Sequence, residues 1–332
     1  MNINVFHKAM HRKFVTLVVV ILLIIMGSSV SLIFIISHSS KSYDTLSRVE
    51  FNMHDGVIND FAYWLDNINK DIIRNSKYDL IIMDYSSDGN ETGEYAITDV
   101  NYMKSTGENR KFLLSYISIG EAEDYRFYWD ETWDANHDGI PDGGAPGWLD
   151  IENPEWEGNY KVKFWMIEWQ QIIFDYLDRI MIAGFDGIYM DIVDAYEYYQ
   201  GILPNADLRM IDFVGGISNY TKTQAIGNFS IFVQNADNLL LNSTYLEHID
   251  GIGREDLFYD DNMPTDDSWR HEGISNLNIV INDSKIVLVT DYPQSTALKY
   301  NFYKSCINNG FLGYAADRNL DKLKEVDFYP AT

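Results

Sequence analysis

Eight short β-like runs recur between residues 61 and 317, with longer mixed stretches between them. They are FAYWLDNI (61–68), DLIIMDYS (79–86), KFLLSYISIG (111–120), GFDGIYMDIV (184–193), FSIFVQNA (229–236), IDGIGRED (249–256), KIVLVTDYP (285–293) and GFLGYAAD (310–317). These short β-like runs read as strands. Helical patterns lie between several of them. The clearest is KVKFWMIEWQQIIFDYLDRIMIAG (161–184), with Phe164, Trp165, Trp169, Ile172, Ile173, Tyr176, Leu177 and Ile180 on one face and Gly184 placed to end the helix. Eight strands alternating with helices predict a (β/α)8 TIM barrel. The competing doubly wound open sheet lacks the G-x-G-x-x-G or P-loop sequence expected after its first strand.

The N-terminus adds a second element. His11, Arg12 and Lys13 precede an uncharged apolar stretch over residues 14–36, long enough for a helix crossing about 30 Å of hydrocarbon. A cleavable signal peptide has a shorter apolar region, of roughly 7–15 residues. The expected order is therefore a cytoplasmic N-terminus (1–13), a single transmembrane helix acting as signal anchor (14–36), a stalk (37–58) and the barrel domain (59–332) on the extracytoplasmic side. Secretion after signal cleavage is the alternative. The membrane is thus an expected partner.

A formal net charge of −25 would repel nucleic-acid phosphates, so no nucleic-acid partner is expected. Cys306 is the single cysteine, which leaves no intramolecular disulfide and reads as a small buried hydrophobe.

The strand candidates share one habit: the apolar run stops and a carboxylate or amide appears. Asp84 follows LIIM, Glu121 follows YISIG, Asp191 follows GIYM, Asn235 follows IFVQ, Glu255 follows GIGR and Asp291 follows VLVT. In a (β/α)8 barrel the C-terminal strand ends all face one mouth, so these groups would converge. An acidic, aromatic-lined pocket suits glycoside hydrolysis, in which one carboxylic acid protonates the leaving oxygen and a second carboxylate serves as nucleophile or base. No H-E-x-x-H or G-x-S-x-G sequence points to a zinc or serine hydrolase, and the two-carboxylate chemistry requires no cofactor.

LLSYISIGEAEDYRFYW (113–129), APGWLDIENPEWEGNYKVKFW (145–165) and GFDGIYMDIVDAYEYY (184–199) resemble glycoside hydrolase family 114, the endo-α-1,4-polygalactosaminidase-like TIM-barrel group. YWLDNIN (63–69), YDLIIMDYSSDG (78–89) and GFLGYAAD extend the resemblance over roughly residues 60–320. It implies a catalytic Asp at Asp191 and a second acid at Glu255, with Asp256 its local competitor because GREDLFY departs from the family's usual Asn-Glu context. Asp191 is then expected as nucleophile and Glu255 as acid/base, acting on an α-linked galactosamine-type polysaccharide. Asp84, Glu121, Asp124, Arg126 and Asn235 are candidates for substrate contact, with a structural Glu121–Arg126 pair as the plainer reading. Asp194 either tunes Asp191 or caps the next helix. Tyr63, Tyr189, Tyr196 and Tyr314 are candidate ring-stacking residues, each also suited to plain packing. A non-catalytic carbohydrate-binding surface protein on the same barrel is the competing class.

DANHDGIPD (134–142) places Asp134, Asn136, Asp138 and Asp142 at positions 1, 3, 5 and 9 of an EF-hand-like loop, with Ala145 where the bidentate Glu would stand. The pattern suits a structural calcium ion that stiffens the loop. It suits equally an Asx- and Gly-rich turn that needs no ion.

Overall fold

The computed structural model describes residues 21–26, 29–34, 45–53, 56–105 and 110–325. The chain divides into two compact units, Met1–Asp44 and Thr45–Thr332.

In the first unit, residues 1–20, 27–28 and 35–44 lie outside the described residues, and with them the expected cytoplasmic segment and much of the expected membrane helix. The described part corrects the helix. Ile21–Met26 pairs antiparallel with Ser29–Phe34, from Ile21 opposite Phe34 to Met26 opposite Ser29. Among the described residues no helix is long and apolar enough to cross a membrane. The physical reason lies in composition: Ile21, Ile24, Ile25, Val30 and Ile33 are β-branched and favour extended backbone.

In the second unit, part of the stretch expected as a stalk packs with the rest. Phe51–Met53 pairs antiparallel with Gly56–Ile58, and Met53 and Ile58 are buried. Arg48 bonds Asp60 at 2.9 Å. The barrel strands are β1 (Phe61–Tyr63), β2 (Leu80–Met83), β3 (Phe112–Ser118), β4 (Gly187–Asp191), β5 (Ser230–Gln234), β6 (Gly251–Glu255), β7 (Ile286–Asp291) and β8 (Leu312–Ala315). They hydrogen-bond in sequence order, all parallel, and each falls inside one of the eight apolar runs. The sheet curls until its two edge strands meet, with the Phe61 and Tyr314 rings 5.8 Å apart, so it forms a nearly closed barrel.

Eight helices among the described residues accompany the strands: α1 (Lys70–Asn75), α2 (Ile97–Lys104), α3 (Ile167–Ala183), α4 (Ala195–Tyr199), α5 (Ala206–Gln224), α6 (Ser243–His248), α7 (Asp267–Asn282) and α8 (Thr296–Asn308). Helix α3 starts later than its apolar pattern suggests because Asn159–Val162 is a strand. It ends where expected, at Gly184 with φ 84°, a left-handed conformation glycine adopts without steric cost. Between β3 and α3 a three-stranded antiparallel sheet is inserted, in which Asn159–Val162 lies between Glu121–Glu123 and Leu149–Glu152. Packed tryptophans tie this insertion down, Trp133 edge-on to Trp148 at 5.3 Å and Trp148 tilted against Trp169 of α3 at 4.9 Å.

The barrel interior is filled, not hollow. The Tyr63 and Tyr189 rings pack at 5.2 Å. The Tyr189 hydroxyl occupies the place of a side chain on β6: a Cβ at Gly253 would stand 1.7 Å from it. Gly253→Ala should therefore destabilise by about 1–3 kcal/mol through overpacking. Urea titration of Gly253→Ala, Tyr189→Leu and the double variant should show the double variant less destabilised than the sum of the two singles; a neutral Gly253→Ala would contradict the close approach.

Candidate active site

At the C-terminal ends of β4, β5 and β6 the next residue takes a left-handed conformation: Ile192 at φ 55°, Asn235 at φ 56° and Asp256 at φ 51°. For a β-branched residue such as Ile192 this is strained, and such strain collects at functional sites. Each bend turns the chain sharply away and leaves the last strand side chains facing a cavity of about 340 Å³ at the barrel mouth. Asp191 and Glu255 both line it, together with Tyr63, Tyr116, Gln234 and Tyr292.

Hydrogen bonds hold both carboxyls in place. Asp191 accepts from the Tyr116 hydroxyl at 2.8 Å and from the Ile192 N–H at 2.7 Å. Glu255 accepts from the Gln234 Nε2 at 2.6 Å and from the Tyr292 hydroxyl. Gln234 is held in turn by the Tyr63 hydroxyl, which donates to its Oε1 at 3.0 Å. Asn235 Oδ1 accepts from the Glu255 N–H and from Arg254, both at 3.1 Å, fixing the strand end that carries Glu255. Beyond it, Asp291 is fully buried and accepts from the N–H groups of Leu257, Phe258 and Tyr259, each at 2.9 Å.

The electrostatics follow from burial. Removal from water, then the nearby Glu255 charge, push the Asp191 carboxyl up to about 8; its two donors pull the other way. Burial likewise pushes Glu255 up to about 7, opposed by the Tyr292 bond, raised by Asp256 and lowered by Arg318 and Arg254. At neutral pH the pair therefore retains protons that free carboxyls would have lost, so one member can act as acid while the other acts as base or nucleophile.

The remaining expected residues divide by position. Glu121, Asp194, Asn235 and Tyr63 line the cavity. Asp84 and Arg126 do not: Arg126 is buried in an ion pair with Asp84 at 2.8 Å and a second with Glu123. The structural pair expected for Glu121 and Arg126 is thus corrected. Arg126 sits three residues from Glu123 and reaches across to β2, while Glu121 faces the other way, toward Lys161 at 3.6 Å. Asp124 lies away from the cavity beside Gly158, whose carbonyl accepts its N–H at 2.9 Å. Asp194 stands at the start of α4 but makes no capping bond. Burial pushes its carboxyl up. Of the expected ring-stacking tyrosines, Tyr189 and Tyr314 are core residues, and the buried Tyr196 turns its hydroxyl to Glu197. The exposed aromatic on the cavity wall is Trp156, 62% exposed, and sequence patterns did not separate it from the insertion's other tryptophans.

A second cavity of about 280 Å³ shares Asp194 and Asn235 with the first and carries Trp269 on its wall, beneath the Arg254 guanidinium at 4.4 Å.

In DANHDGIPD the side chains serve their own loop. Asp134 accepts from the Gly139 and Asp138 N–H groups and the Tyr160 hydroxyl, Asp138 from the Ile140 N–H and Asn136, and Asp142 from the Ala135 N–H. Among the described residues no group of three or more His, Cys, Asp or Glu gathers to hold a metal ion.

Because Asp191 titrates higher when folded than unfolded, the folded chain binds the extra proton between about pH 4 and pH 8, and stability falls as pH rises through that window. Asp191→Asn should raise the melting midpoint by several degrees at pH 8 and leave it unchanged near pH 4. Differential scanning calorimetry at the two pH values checks this; a gain independent of pH would count against the buried, proton-retaining pair.

The model of glycoside-hydrolase family GH114 matches residues 50–328. An uncharacterized protein of Methanocaldococcus jannaschii is 41% identical over 278 residues, 79% of this chain and 77% of its own. An uncharacterized protein of Thermotoga maritima is 33% identical over 286 residues, 80% and 84% of the two chains. Among solved structures, Ega3 of Aspergillus fumigatus in complex with galactosamine aligns with a TM-score of 0.58 at 16% identity, over 79% of this chain and 92% of that one. The glycoside hydrolase domain of PelA from Pseudomonas aeruginosa gives 0.60 at 13% identity, over 80% and 97%. At these identities the structural likeness concerns the fold.

Proposed function

The chain belongs to glycoside-hydrolase family GH114, and from that premise we propose that it hydrolyses an α-linked amino-sugar polymer of galactosamine type, with Asp191 and Glu255 as its catalytic carboxyls. The observation that carries the reading is one cavity, at the C-terminal mouth of the barrel, lined by four carboxyl groups (Glu121, Asp191, Asp194, Glu255) and a single guanidinium, that of Arg318. Such a wall attracts a cationic sugar and repels an anionic one. The complex of Ega3 with galactosamine supports the same class. The adjoining cavity with Trp269, and Trp156 on the other wall, support a polymer over a single sugar, since exposed indoles offer flat faces to sugar rings.

In the proposed reaction the Asp191 carboxylate attacks the anomeric carbon while Glu255 gives its proton to the departing glycosidic oxygen. A water then attacks the same carbon, Glu255 takes its proton, and Asp191 is released, so configuration is retained. Burial leaves Asp191 the higher of the pair, so the proposed reaction needs the proton to move to Glu255 as substrate binds; Tyr116, the Ile192 N–H and an arriving ammonium all favour the ionised form of Asp191. Asp191→Asn and Glu255→Gln in the full chain should each lower release of reducing ends from galactosamine polymer by about a thousandfold or more. On a glycoside with an activated leaving group, Glu255→Gln should recover bond cleavage and Asp191→Asn should not. Activity near wild type in either variant on the polymer would sink the assignment.

The apolar stretch 14–36 behind Arg12 and Lys13 supports attachment to a membrane with the barrel on the extracytoplasmic side, cleavage and secretion being the alternative. Fractionation of cells expressing the full chain should find it in the membrane pellet, with the barrel digestible by protease added outside. Recovery of the intact chain in the soluble cell extract would refute the attachment.

A further inference from the structure

The segment after β8 is pinned at two points. The Ala316 N–H bonds the Asp291 carbonyl at 2.9 Å. The Leu320 carbonyl accepts from the N–H groups of Leu65 at 2.8 Å and Asp66 at 3.3 Å, at the seam where β8 meets β1. Between these points stands Arg318, whose guanidinium lies on the wall of the mouth cavity. Its Nη1 and Nη2 take both oxygens of Asp256, at 3.0 and 2.9 Å. Nη2 also bonds Asp260 at 2.5 Å, and Nε bonds Asp261 at 2.8 Å. The same guanidinium sits over the Tyr292 ring, with Cζ 4.4 Å from the ring centre.

Two of these contacts land on the neighbours of Glu255. Asp256 follows it in the chain and holds the left-handed conformation, φ 51°, that turns the backbone away from the mouth. A non-glycine residue stays in that region only where its surroundings hold it there. The Thr290 carbonyl holds the Asp256 N–H at 3.2 Å, and Arg318 holds its carboxylate by both oxygens. A bidentate pair of this kind fixes an orientation as well as a distance. Tyr292 donates its hydroxyl to Glu255 Oε1, and the cation over its ring helps to fix where that hydroxyl stands. Isolated exposed ion pairs contribute little, but one guanidinium shared by three carboxylates and a ring forms a network. Asp256 has both oxygens engaged and does not line the cavity, which separates it from Glu255 as a candidate acid.

We infer that Arg318 is a positioning residue for the acid/base Glu255, holding the backbone turn behind it through Asp256 and the hydroxyl in front of it through Tyr292. The inference rests on the proposed reaction and goes beyond it in naming a residue outside the catalytic pair that sets the geometry of proton transfer. Asp260 and Asp261 alone would serve only the loop between β6 and α7. A lysine could not replace Arg318, because an ammonium is a compact point charge without the planar fork that grips a carboxylate and covers a ring at once.

The experiment uses the full chain and compares galactosamine polymer with a glycoside carrying an activated leaving group. The polymer needs the proton that Glu255 supplies, and cleavage of the activated glycoside does not. Arg318→Ala should lower kcat on the polymer by about tenfold or more, with KM changed by less than about threefold. Its cleavage of the activated glycoside should stay within about threefold of wild type. Arg318→Lys should remain closer to Arg318→Ala than to wild type on the polymer. Combined with Tyr292→Phe, Arg318→Ala should cost less than the product of the two single losses. Equal losses on both substrates, a change confined to KM, recovery by lysine, or losses that multiply overturn the inference. A second arm needs no turnover: carbon-13 NMR titration of the side-chain carboxyls, with Glu255→Gln marking the Glu255 signal. Arg318→Ala removes a nearby positive charge and loosens Tyr292, so the Glu255 midpoint should rise by roughly half a pH unit or more. An unmoved midpoint overturns the inference. A wild type that cleaves neither substrate would count against the proposed reaction, and the titration would still decide the role of Arg318.

Discussion

The parallel register running from Phe61 to Ala315 is the constraint on which the site depends. Parallel strands joined by helices all travel the same way, so every strand delivers its last side chain to the same end of the barrel. Asp191 and Glu255 lie 64 positions apart in sequence, on strands separated by β5, yet they share one cavity. The filled interior beneath them removes water from one side and gives both carboxyls their upward shifts. Tyr189 against Gly253 is part of that floor, so the packing that stabilises the barrel also tunes its acids.

Carboxylates stand at both ends of the barrel and do different work. At the opposite end Asp186 accepts from the Leu113 N–H at 2.9 Å and Asp250 from the Ile231 N–H at 2.8 Å, each tying its own strand's entry to a neighbouring strand. Lys104 completes the first of these at 2.8 Å. Those acids are engaged with the backbone. At the mouth the chain bends left-handed just after Asp191 and Glu255, and their side chains are left facing the cavity. A single segment, GFDGIYMD, carries one acid of each kind, five residues apart.

That contrast explains what the sequence made legible. Strands covered on both faces become apolar runs, so all eight were visible, and Asp191 and Glu255 stand where such runs stop. Their hydrogen-bond partners were hidden. Tyr116 in LLSYISI looks like Tyr189 in GIYM, and only the folded barrel brings one hydroxyl to Asp191 and sets the other against Gly253. Gln234 and Asn235 are adjacent polar residues at one strand end; alternation along the strand decides that Gln234 faces Glu255 and Asn235 braces the bend. Tyr292 and Arg318 reach the site from the end of β7 and from the segment after β8, through contacts that no local pattern encodes. Where the helix expected over 14–36 falls on described residues, Ile21–Met26 and Ser29–Phe34 pair as strands: hydrophobicity alone does not separate a helix from a ladder of β-branched residues.

The chain of bonds from Tyr63 through Gln234 to Glu255 has a direction. Tyr63 donates to the amide oxygen, so the amide nitrogen must point at Glu255 Oε2, and an amide nitrogen cannot accept a proton in return. Gln234 therefore cannot take a proton from Oε2 while that bond stands. Oε1 faces the Tyr292 hydroxyl, which can rotate from donor to acceptor. Glu255 thus has two unlike oxygens: the partner of Oε2 can only donate, and the partner of Oε1 can donate or accept. A tyrosine on β1, which hydrogen-bonds neither carboxyl, thereby sets which way the amide beside Glu255 points.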